Sequence, residues 1–142
     1  VAYDRNNVFA KILRGELPSI NVDENADVVA FMDIMPQADG HVLIVPKEPA
    51  ATIFELSEEK SVACIKMTRR IALAVNAALA CEGLMIAQVN GAAAGQTVPH
   101  VHFHVIPRSA NSPLRAHGVS REEPAKLEHT ASLIRAALKS LG

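Results

Sequence analysis

Between Val98 and Pro107 the chain reads Val-Pro-His-Val-His-Phe-His-Val-Ile-Pro, with histidine at 100, 102 and 104 and one apolar residue between each pair. Side chains of a strand point alternately to its two faces, so a period-two pattern this strict predicts a strand across the whole stretch. One face, formed by Val101, Phe103 and Val105, suits a core. The other carries three imidazoles about 6.5 to 7 Å apart at the backbone, and such crowding leaves at most one of them cationic at neutral pH. Any fold of this chain must bury one side of that strand and give the other side a use.

The remaining elements are separated by turn signals. A short helix is predicted from about Asn7 to Arg14, ended by Gly15 and sealed by Pro18. Val28 to Ile34 and His41 to Pro46 read as two strands joined by Met-Pro-Gln-Ala-Asp-Gly, a hairpin-like pair. Ser57 then caps a long helix, Glu58 to Glu82, with Glu58 and Glu59 in its first turn. Its apolar residues Val62, Ile65, Ala72, Val75 and Leu79 recur at helical spacing up to Gly83. Leu84 to Asn90 reads as a strand, residues 91–97 as a glycine-bearing loop, and the residues after Pro124 as a final amphipathic helix. Short antiparallel-compatible strands without regular βαβ alternation predict an α+β domain.

A chain of 142 residues is enough for one core and too short for two ordinary domains. Apolar residues make up 49% and charged ones 20%, a globular composition. The net charge of −1 offers no basic stripe to track a nucleic-acid backbone. Polymeric nucleic acid is therefore not an expected partner, and with no apolar run of membrane-spanning length neither is a membrane. Cys64 and Cys81, read as lying on one helix about 25 Å apart, cannot bridge each other. They are expected to be small buried thiols of a cytoplasmic protein.

Three uses of the histidine face can be weighed. It can be a solvated edge. It can be a metal site, since His at i and i+2 of a strand can chelate zinc with a third ligand from elsewhere, although the sequence has no CxxC or HExxH. Third, the loop Asn90-Gly91-Ala92-Ala93-Ala94-Gly95-Gln96-Thr97 delivers backbone N–H groups, amides and a hydroxyl to the first histidine, which suits a phosphate. Joined to three imidazoles, that loop favours phosphoryl chemistry without a metal or other cofactor.

His100-Val101-His102-Phe103-His104-Val105-Ile106 resembles the motif of the histidine triad (HIT) superfamily of nucleotide hydrolases and transferases. Asn90 and Gly95-Gln96-Thr97-Val98 resemble its phosphate loop. The likeness runs in order over about residues 6 to 108. It takes in Val8-Phe9-Ala10-Lys11-Ile12, Phe31-Met32-Asp33-Ile34-Met35-Pro36-Gln37 and Gly40-His41-Val42-Leu43-Ile44-Val45-Pro46-Lys47. The resemblance implies a five-stranded antiparallel sheet with a long central helix and short terminal helices. It further implies a homodimer paired through the long helices and adjoining strands. Residues 1–142 would form a single HIT domain, with 109–142 a family-divergent C-terminal extension.

By the same resemblance His102 is the nucleophile toward the α-phosphorus of a purine nucleotide. Imidazole suits that step because it is a good nucleophile and, once protonated, a tolerable leaving group. His100 and His104 would flank it, His41 would buttress it from the neighbouring strand, and Thr97 would assist the leaving group. Asn90, Gly95, Gln96 and Val98 would serve the phosphate, Asp33 the ribose hydroxyls, and Phe9, Ile12, Phe31 and Ile34 the base. Histidine at 104 disfavours the galactose-1-phosphate uridylyltransferase branch, whose third position is usually glutamine. The expected activity is hydrolysis of a nucleoside 5′-phosphoramidate or related conjugate. The alternatives are dinucleoside polyphosphate hydrolysis and a nucleotide- or zinc-binding regulator with little turnover.

Overall fold

The computed structural model describes residues 2–116, 118 and 120–142. It is an α+β domain built on one five-stranded antiparallel sheet. The strands are β1 (Asn21–Glu24), β2 (Val28–Met32), β3 (Val42–Pro46), β4 (Gly83–Ala87) and β5 (Phe103–Arg108), in the order β1-β2-β3-β5-β4. β2 and β3 form the expected hairpin, with Val28 opposite Pro46 and Met32 opposite Val42. Both are buried along their full length, because the sheet is covered on both faces.

Two long helices cover one face. From α2 (Glu58–Leu79) come Cys64, Met67, Ile71, Ala74 and Val75, and from α3 (Pro124–Leu141) come Leu127, Ala131, Ile134 and Leu138. They pack on Val28, Ala30, Met32, Val42, Ile44, Phe103 and Val105 of the sheet. The opposite face, Val29, Phe31, Leu43 and Val45, packs on Phe9 of the short helix α1 (Val8–Leu13), with Ile12, Leu13 and Val98 at its rim. Alternation along β2 and β3 thus sends successive residues into different layers.

Several boundaries differ from the sequence expectation, each for a physical reason. β1 carries only one buried residue, Val22, in a polar segment, so no alternation announces it. α2 stops three residues before Gly83, at Ala80, which itself takes the left-handed conformation (φ 48°), while Gly83 opens β4. Cys81 therefore lies past the helix, half-buried, whereas Cys64 is in the core. The buried stripe of α2 is also not the one expected. Val62 and Ile65 face outward, so this helix is apolar on two sides. The C-terminal helix runs 18 residues from Pro124, over the amphipathic stretch expected to form it.

Candidate active site

The ladder of β5 begins only at Phe103, so His100 and His102 stand on the segment just before the strand, His100 at a bend. Pro99 has no N–H to give a ladder, and the Val101 N–H goes to the Ala50 carbonyl at 2.8 Å. Side-chain alternation persists nonetheless. Val101, Phe103 and Val105 enter the helical core while Phe9 stands against His100 and His102.

Hydrogen-bond partners assign the imidazole protons. His100 is fully buried. Its Nε2–H donates to the Pro46 carbonyl at 2.8 Å, and its Nδ1 accepts from the Tyr3 hydroxyl. Burial lowers its pKa, against the raising effect of the Pro46 bond, so it is held neutral. With both ring nitrogens engaged inside the protein, His100 acts on its neighbour through its main chain. The His100 carbonyl accepts the Nδ1–H of His102 at 2.6 Å, which leaves the His102 lone pair on Nε2. The Phe9 and His102 rings pack in a T, 87° between planes and 4.9 Å between centroids.

A second chain of bonds comes from the β2–β3 turn. The Gln37 N–H donates to His41 Nδ1 at 3.1 Å, which assigns the His41 proton to Nε2. That Nε2–H donates to His104 Nδ1 at 2.9 Å, so His104 in turn carries its proton on Nε2. The His104 ring lies 4.9 Å from the His102 ring. Asp33 is 7% exposed, with Oδ1 accepting from the Met35 N–H at 2.8 Å and Oδ2 3.5 Å from His41 Nε2. The carboxylate expected to meet a ribose thus also faces the histidine chain.

The loop before the triplet is held by its own amides. Gly91 (φ 90°) and Gly95 (φ 100°) bracket a short 3-10 turn, Ala92–Ala94, in a conformation that side chains with Cβ rarely take. Gln96 Oε1 accepts the Gly91 N–H at 2.7 Å, and its Nε2 donates to the carbonyls of Ala51 (2.7 Å) and Val98 (2.9 Å). Asn90 Oδ1 accepts the Ile53 N–H at 2.8 Å. Gln96 and Asn90 therefore fasten this loop to residues 51–53. Thr97 is exposed, Val98 and Ile12 are half-buried beside Phe9 and Phe31, and Ile34 lies on the rim.

A family profile described as the HIT domain matches residues 14–111. The chain belongs to the HIT domain family. It is 39% identical to adenosine 5′-monophosphoramidase hnt1 of Schizosaccharomyces pombe over 101 residues, covering 71% of this chain and 73% of that protein. Among solved structures it resembles a Hit-like protein involved in cell-cycle regulation from Bartonella henselae, crystallised with an unknown ligand. The TM-score is 0.90 and the identity 44%, over 96% of this chain and 99% of that one. A zinc-bound histidine triad family protein from Mycobacterium smegmatis is similar with TM-score 0.84 and 34% identity, over 96% and 95% of the two chains.

In this HIT domain Asp33, His41 and His104 bring three ligand-type atoms within 4.8 Å of one another, the group of this kind found among the described residues. Their proton pattern does not fit a metal. A cation on His41 Nε2 would send the proton of a neutral ring to Nδ1, where it would meet the Gln37 N–H, donor against donor.

The same turn of this HIT domain is strapped by the C-terminal segment. The Arg115 N–H donates to the Gln37 carbonyl at 2.8 Å, and the Glu122 N–H to the Ile34 carbonyl at 2.9 Å. Asp39 meets Arg115 at 2.7 Å and Lys126 at 3.3 Å. Burial pushes the Asp39 carboxyl up, but those two cations outweigh it and hold the group below its ordinary value. Sequence reasoning missed this strap, and it missed Tyr3, the Gln37 N–H and the Pro46 carbonyl. Two of those groups are backbone, which residue types do not announce. Tyr3 is the chain's only tyrosine, the one signal that could have singled it out.

Proposed function

We propose that this chain hydrolyses a purine nucleoside 5′-phosphoramidate or a related nucleotide conjugate through a covalent nucleotidyl-His102. The observation that carries this reading is the 2.6 Å bond from His102 Nδ1–H to the His100 carbonyl. It directs the lone pair to Nε2 and stands ready for the charge that follows. In the first step Nε2 attacks the α-phosphorus, the Nε2–P bond forms and the bond from phosphorus to the leaving group breaks. The leaving group departs with the electron pair and takes up a proton. The phosphorylated ring is then cationic, and its Nδ1–H gives the His100 carbonyl a charge-assisted hydrogen bond, roughly twice as strong as a neutral one. Water attacks in the second step and gives up a proton, which balances the one taken by the leaving group; the Nε2–P bond breaks with its electron pair returning to Nε2, and the nucleoside monophosphate is released.

The remaining residues take supporting roles in this reading. His104 Nε2–H is a donor for a phosphate oxygen, kept in that tautomer by His41. Thr97 offers its hydroxyl to the leaving group, and the loop Asn90 to Val98 supplies backbone donors. Phe9, Ile12, Phe31 and Ile34 enclose the base, and Asp33 accepts from the ribose. The fungal relative's name, adenosine 5′-monophosphoramidase, supports the P–N choice.

We also propose a homodimer. Ile65, Leu73 and Ile86, together with Ala72 and Leu84, line an apolar groove of about 300 Å³ across α2 and the edge strand β4. A second copy matches such a face, since a two-fold interface sets the same patch against itself. Among the described residues no helix is long and apolar enough to cross a membrane, and a cytoplasmic location agrees with that.

The test is turnover of an adenosine 5′-phosphoramidate bearing a fluorogenic amine, beside diadenosine tetraphosphate, with and without chelator. Wild type should prefer the phosphoramidate, and His102→Ala should lose at least about 10³-fold in kcat/KM, as removal of a nucleophile does. Activity that survives in His102→Ala contradicts the mechanism. Preference for the dinucleotide moves the chain to polyphosphate hydrolysis, and chelator-sensitive activity to a metal-dependent reading.

A further inference from the structure

The N-terminal segment ahead of α1 is fastened to that helix. Asn7 caps α1 by accepting from the Ala10 N–H at 2.9 Å, and its Nδ2 donates back to the Asp4 carbonyl at 2.7 Å. Arg14, at the far end of α1, donates to the Arg5 carbonyl at 2.7 Å. This small unit therefore carries two rings to the triplet as one piece. Phe9 stands against His102 and His100, and Tyr3 against His100, with 5.6 Å between centroids and 71° between planes. Tyr3 lies outside the span matched by the HIT domain.

A buried imidazole whose N–H is taken by a backbone carbonyl needs a donor at its other nitrogen, or the ring is left with a buried, unsatisfied lone pair and shifts to relieve it. Among the described residues Tyr3 is the side chain that supplies this donor. We propose that Tyr3 is a positioning residue for catalysis: its hydroxyl donates to Nδ1 and anchors the His100 ring, whose Nε2–H is fixed by the Pro46 carbonyl, and so keeps the His100 carbonyl aimed at His102 Nδ1. The proposal rests on His102 being the nucleophile. Tyr3 itself contacts His100 and not the reacting atoms. Its removal should therefore lower kcat and leave KM unchanged, because the nucleotide loses no contact.

Two readouts on the full chain separate this proposal from the catalytic reading beneath it. The first is ¹⁵N NMR of the histidine rings. In the wild type His100 should be protonated at Nε2 and His102 at Nδ1; in Tyr3→Phe the Pro46 carbonyl should keep the His100 proton on Nε2 while the Nδ1 resonance moves toward that of a lone pair without a hydrogen bond. The second is steady-state turnover of the phosphoramidate, where Tyr3→Phe should lose about tenfold in kcat, the worth of one hydrogen bond, with KM within about twofold. A wild type with His100 protonated at Nδ1 overturns the proposal without any variant being needed. So does a Tyr3→Phe protein with wild-type kcat, even one of lower thermal stability, since that would make the contact merely structural. An inactive wild type showing the expected NMR pattern would refute His102 as nucleophile, and Tyr3's catalytic role with it, while leaving the tautomer assignment standing.

Discussion

Position 40 shows how tightly one residue can be specified next to the site. Gly40 has φ 90°, and a Cβ built there would lie 2.3 Å from Leu79 Cδ1 and 3.1 Å from Pro107 Cγ. The next residue is His41, whose Nε2–H fixes the His104 tautomer. Gly40→Ala combines a left-handed backbone with overpacking, and should destabilise the fold by ~1–3 kcal/mol, read as a lower urea midpoint with unchanged m-value. An unaltered midpoint would contradict both the backbone strain and the close approach to Leu79 and Pro107. The sequence marked Gly40 as a turn residue, but its approach to Leu79 and Pro107 is a long-range property that no local pattern carries. The triplet is the opposite case. Its alternation announced which side chains enter the core, yet nothing in it revealed that His100 turns both ring nitrogens to the protein interior, on Tyr3 and Pro46.

Helix α2 shows the same division among elements. Its start was legible because the Ser57 side chain accepts the Lys60 N–H, an N-cap with a sequence signature. Its end was not, because Ala80 takes the left-handed conformation usually left to glycine. That conformation costs a non-glycine residue about 1–2 kcal/mol, and glycine gives part of that back through its greater freedom when unfolded. Ala80→Gly should stabilise the protein by ~0.5–1 kcal/mol, visible as a raised melting temperature. A drop in melting temperature would show that the Ala80 methyl contributes packing that outweighs the strain. β1 escaped notice because one buried valine in four residues makes no periodicity. Its place at the sheet edge comes from pairing with β2, a partner that the segment itself does not encode.

For the whole molecule, what was legible was the α+β class and the order of most strands and helices, since runs such as Val28–Met32 can only be buried. The layering was less so. α2 has an inward stripe, Cys64 to Val75, and an outward one in which Val62, Ile65 and Leu73 are each more than 40% exposed. Exposed apolar surface of this kind is where the proposed dimer would pair, and Ile86 on the edge strand β4 adds to it. Light scattering should give twice the chain mass for the wild type and the chain mass for Ile65→Glu combined with Leu73→Glu. A wild type that stays monomeric at micromolar concentration contradicts the dimer.

The central claim is a covalent nucleotidyl-histidine, and the stereochemical course at phosphorus tests it most directly. A phosphoramidate made chiral at the α-phosphorus with sulfur would be hydrolysed in ¹⁸O-labelled water and the product's configuration determined. Attack by His102 Nε2 followed by attack by water gives two inversions, so the account predicts net retention. Net inversion would mean that water displaces the leaving group in a single step and that His102 never bonds to phosphorus.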